Sequence, residues 1–146
     1  MNKIIKYLNA YGAWLVNLGL AAWLFFLTRT VYLDIFSFFY KPGGWAYAHR
    51  VEFIDKILVL ILGLGWLVFM IMTESYYRSG ALEVDLFKRF ARVTGPLLIV
   101  IFGMDLILIW LEGASNGFHW LILAAELGIG IAFILLTRSQ PKSKRT

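Results

Sequence analysis

From Ile57 to Met72 the chain reads ILVLILGLGWLVFMIM, sixteen residues without one charged or amide side chain. With its less polar flanks this run reaches about 20 residues, which as a helix is ~30 Å long, the thickness of a bilayer's hydrocarbon core. In lipid the backbone must satisfy its own hydrogen bonds, so such a run is a helix. Four spans of this character are expected, at about residues 10–28, 51–73, 94–111 and 119–137.

Composition supports a lipid solvent. Of 146 residues, 60% are hydrophobic and 17% aromatic, above the roughly 45–50% apolar share of soluble domains. The expected fold is an all-α integral membrane domain, a four-transmembrane-helix bundle over residues 1–137, followed by a basic cytoplasmic tail at 138–146. No room remains for a separate soluble domain, so any chemistry must sit between helices or on short connections. The chain has no cysteine, which excludes disulfide exchange, thiolate metal sites and Cys nucleophiles.

A net charge of +5 would suit nucleic acid if it formed a basic face. Here the Lys and Arg residues cluster at the ends of apolar runs, so no nucleic-acid partner is expected. They set orientation instead: ten lie before span one, between spans two and three and in the tail, against four from Arg29 to Lys56, around the first connection. By the positive-inside rule both termini face the cytoplasm of a plasma membrane. The opening MNKIIKYLNAYGAW begins like a signal peptide, but its apolar run continues to Leu27 with no small-residue cleavage site before Arg29. It reads as a retained span.

Two connections carry character of their own. Residues 30–48, TVYLDIFSFFYKPGGWAYA, are aromatic and too polar to span. They suggest an extracytoplasmic interfacial helix or re-entrant segment, turned at Pro42-Gly43-Gly44 and lying over the bundle like a lid. Leu82, Leu86 and Phe90 recur at four-residue spacing among charges, which predicts a short amphipathic helix on the cytoplasmic surface. Gly95-Pro96 would then fall in the first turn of span three, where proline is tolerated. The segment 86–108, LFKRFARVTGPLLIVIFGMDLIL, resembles the basic-to-apolar start of a helix in copper-resistance membrane proteins, without a diagnostic motif.

Small residues predict helix packing. Ala13 and Ala21 flank Asn17 at four-residue spacing, and Ala124, Gly128 and Ala132 form a small-xxx-small stripe.

The polar residues converge in depth. Asp105 and Glu126 lie within spans three and four, and Asp105 shares a helical face with Glu112, as His119 does with Glu126, because seven residues are nearly two turns. An intramembrane charge costs ~2.5–3.5 kcal/mol even on the lenient insertion scale, so one polar site in the outer half of the bundle is the economical arrangement. Asp105 and Glu126 are the expected ligand- or proton-binding groups, with Asn17, Arg29 and Lys56 as donors. His49, Glu52 and His119 offer an N/O set for a divalent metal. Quinone could lie among the aromatic residues near His49. No catalytic constellation is recognisable: Ser37 and Ser115 lack a paired base, and neither histidine lies deep enough to ligate haem between spans.

These observations lead to the expectation of a non-catalytic subunit or accessory protein of a larger membrane complex, in contact with lipid and with other membrane subunits or copies of itself. The alternative is a small proton- or ion-coupled transporter, or a ligand- or metal-binding membrane protein, using Asp105 and Glu126.

Overall fold

A computed structural model describes residues 3–39, 45–80, 86–113 and 116–138, of which 98% are helical. Four helices make up the chain: α1 (Lys3–Phe39), α2 (Trp45–Gly80), α3 (Leu86–Glu112) and α4 (Gly117–Arg138). Each is long and apolar enough to cross a membrane. The expected spans are their central portions.

The described parts of both expected surface segments belong to these helices. Residues 30–39 continue α1 without a break, so no separate interfacial helix or re-entrant segment forms there. The reason is local: no glycine or proline interrupts the chain between Gly19 and Pro42. The polar side chains also bond back to the helix, Thr30 Oγ1 donating to the Phe26 carbonyl at 3.1 Å and Ser37 Oγ to that of Asp34 at 2.8 Å. The Pro42-Gly43-Gly44 turn lies outside the described residues. Likewise Leu86 and Phe90 open α3 rather than a helix of their own, while Leu82 lies outside the described residues. Pro96 is therefore well inside α3, where it removes one ladder hydrogen bond.

The helices pack in a row, α2 against α1, α1 against α3, and α3 against α4, with α2 grazing α3. No Cα of α4 lies within 8 Å of one on α1 or α2 among the described residues. The bundle is thus open on one side.

Three of the helices meet at Asn17, which is fully buried. Its Nδ2 donates to the Tyr77 hydroxyl at 2.6 Å and to the Ala13 carbonyl at 3.3 Å, and its Oδ1 accepts from Thr94 Oγ1 at 2.9 Å. One amide therefore links α1, α2 and α3. Ala10, Ala21, Leu27 and Val31 complete the buried stripe of α1. At the other end of the α1–α2 pair, the Arg29 guanidinium forms a bidentate pair with Asp55, both bonds at 2.8 Å.

The α3–α4 contact rests on glycine. A Cβ at Gly130 would meet Ile99 Cδ1 at 2.9 Å and the Gly95 carbonyl at 3.4 Å, and one at Gly95 would meet the Gly130 carbonyl at 3.3 Å. Leu123 is buried beside them, and Phe133 meets the rings of Phe87 and Phe90 edge-on. Ala124, Gly128 and Ala132 do not make this contact: all three are exposed on another face of α4. Gly130 takes the role that spacing assigned to Gly128, because it stands directly against the Gly95 backbone.

Two outcomes test this packing. In detergent-denaturant titrations a double-mutant cycle of Asn17→Ala with Tyr77→Phe should give a coupling of about 0.6–1.7 kcal/mol, the measured range for interhelical hydrogen bonds in membranes. Gly130→Leu should lower stability by about 1–3 kcal/mol through overpacking, whereas Gly128→Leu should leave it within about 0.5 kcal/mol.

Candidate functional site

The turn between α3 and α4 sets up the site. Gly113 adopts a left-handed conformation (φ 64°) and its N–H bonds back to the Ile109 carbonyl at 3.1 Å, closing α3. Asn116 then caps α4, its Oδ1 accepting from the His119 N–H at 3.2 Å. Beyond these caps α4 packs back along α3. Glu112 therefore comes level with His119, and seven residues deeper, about 10 Å along each helix, Asp105 comes level with Glu126.

All four line one cleft of about 480 Å³. Its floor and one wall are α3 and α4, contributing Leu108, Ile109, Ile122 and Leu123, and Trp23 of α1 stands on the open side. The Asp105 and Glu126 carboxyls are within hydrogen-bonding reach of each other, and His119 is close enough to act on the Asp105 charge. Glu126 Oε2 is buried and receives no bond from any N–H or hydroxyl donor among the described residues. An ionised carboxylate only accepts, so a hydrogen bond between the two acids exists only when one of them carries a proton.

The convergence read from the i, i+7 spacing is thus present for Asp105, Glu112, His119 and Glu126. The expected donors are elsewhere. Asn17 serves the junction of α1, α2 and α3, Arg29 pairs with Asp55, and Lys56 pairs with Glu52 on its own helix at 2.7 Å. None of the three lines the cleft.

The metal set is also divided. His49 and Glu52 stand on α2 and His119 on α4, two helices that do not pack on each other. Among the described residues no group of three His, Cys, Asp or Glu side chains is placed to hold an ion.

Trp23 is the cleft residue that spacing did not point to. An indole in a run of apolar residues carries no signal until it is known that α1 borders the cleft between α3 and α4. Tyr77 and Thr94 were missed as partners of Asn17 for the same reason.

Because the chain has no cysteine, paired substitutions report this geometry without background. A short thiol cross-linker should join Asp105→Cys with Glu126→Cys, and Glu112→Cys with His119→Cys, seen as a mobility shift after proteolysis of the α3–α4 turn. The pair Glu52→Cys with His119→Cys should stay unlinked within one chain. No protein family, curated protein or solved structure matches the chain.

Proposed function

We propose that this protein is a non-catalytic integral subunit of a larger membrane assembly, docking through α4. The observation that carries this reading is the position of α4, which packs on α3 alone and turns Ala124, Gly128 and Ala132 outward. A Cβ at Gly128 would meet nothing within 4 Å, so that position is not small for the sake of this chain's own packing. In lipid, hydrophobic burial does not drive helices together; small residues do so by letting backbones approach closely. A stripe of them on an exposed membrane face fits a helix from another subunit.

The second helix supports the same reading, since only 6% of its apolar window is buried inside the chain. The charge distribution suits a plasma membrane with both termini in the cytoplasm and the polar cleft in the outer half. On this reading the carboxyls of the cleft turn over no substrate.

Native mass spectrometry after gentle extraction from the protein's own membrane tests the proposal. Other polypeptides should accompany the chain in fixed ratio, and Ala124→Leu combined with Gly128→Leu should release them while helicity and the detergent-solubilised monomer stay intact. A chain that flies alone or only with copies of itself overturns the reading.

A further inference from the structure

We propose that the cleft between α3 and α4 binds a lipophilic organic cation, its positive centre held by Asp105 and Glu126 and its apolar body against Leu108, Ile122 and Trp23. The cleft volume of about 480 Å³ falls within the roughly 300–1,000 Å³ of small-molecule sites. The pattern of its lining is theirs as well: apolar walls with a few converging polar groups. Three carboxylic acids line it, and no Lys or Arg does among the described residues.

The basic side chains of this half that the structure pairs are already engaged. Arg29 holds Asp55 through two bonds, and Lys56 holds Glu52. Among the described residues the three acids of the cleft therefore meet no Lys or Arg, and His119 is the one basic side chain in the lining, too few charges to balance all three. Intramembrane acids normally pair with a cation or a backbone group; here Glu126 lies beside another acid, Asp105, and its buried Oε2 has no donor among the described residues. A ligand ammonium or phosphonium centre supplies the missing charge. Trp23, 57% exposed on the open side of the cleft, adds an aromatic wall of the kind that attracts cations through the ring quadrupole. Entry is from the side: with α4 held on α3 alone, the gap between α1 and α4 opens laterally to lipid, where a lipophilic cation concentrates. The site stands on this geometry and does not rest on the assembly reading.

The test is equilibrium dialysis of tetraphenylphosphonium against the full chain in phosphatidylcholine nanodiscs, with empty nanodiscs as the blank. One saturable site per chain is expected. Leu108→Trp, which fills the cleft and keeps both acids, and Glu126→Gln, which keeps the shape and removes a charge, should each weaken binding tenfold or more. Glu52→Gln, a carboxylate at the same end but outside the cleft, should leave it unchanged. Repeating the titration with phosphatidylethanolamine in the disc identifies the source of the cation: undiminished binding assigns the site to a free cation, and competition assigns it to an ammonium headgroup. Uptake no greater than the blank overturns the proposal, and so does saturable binding that Leu108→Trp and Glu126→Gln leave untouched.

Discussion

The amide of Asn17 is the contact on which the arrangement of the other helices depends. In the lipid setting proposed for these helices, packing apolar surface together gains little, so three apolar helices have no strong reason to choose one mutual geometry. A buried amide changes that, because leaving it unpaired in hydrocarbon costs several kcal/mol. Asn17 meets its needs only where Tyr77 of α2 and Thr94 of α3 both reach it, so α1, α2 and α3 share one rotational setting. The gain per bond is modest, but the alternatives are excluded. With α3 fixed in this way, the face it offers to α4 is fixed too.

That face begins with Gly95, next to Thr94, and the close approach of Gly95 to Gly130 sets the α3–α4 register. The caps at Gly113 and Asn116 set the same register from the opposite end. Two independent constraints, a backbone contact and a tight turn, therefore agree on which residues of α3 and α4 stand level. Asp105 opposite Glu126 is a consequence of both. An acid pair that would be expensive in isolation is placed by elements whose stability does not come from it.

Much of this was legible beforehand. The four apolar runs gave the spans, and seven-residue spacing put Asp105 with Glu112 and His119 with Glu126 on common faces. The short connection then made α3 and α4 neighbours, so the site's acids and histidine followed. What was not legible is the order of helices in the row. Arg29 and Lys56 looked free to serve Asp105 because neither spacing nor depth says that Arg29 faces α2, where Asp55 takes both its nitrogens. The stripe at Ala124, Gly128 and Ala132 raises a related point. Small-residue spacing identifies a face suited to close contact, and the sequence holds no mark of whether the partner is in the same chain. Of the lid expected over residues 30–48, residues 30–39 instead prolong α1, because aromatic, semi-polar residues continue a helix when nothing breaks it.

The two faces of α4 carry different chemistry, and its position at the end of the row is what allows both. One face holds Gly130 against Gly95 and Glu126 beside Asp105; the other presents Ala124, Gly128 and Ala132 outward. A closed four-helix arrangement would have buried one of them, since α4 would then contact α1 or α2 and cover the gap beside Trp23. Among the described residues α4 packs on α3 alone, and the Asn17 junction lies entirely among the other three helices. On the proposed readings, a partner on the outer stripe and a ligand in the cleft would engage two faces of one helix, and any coupling between them would be reciprocal.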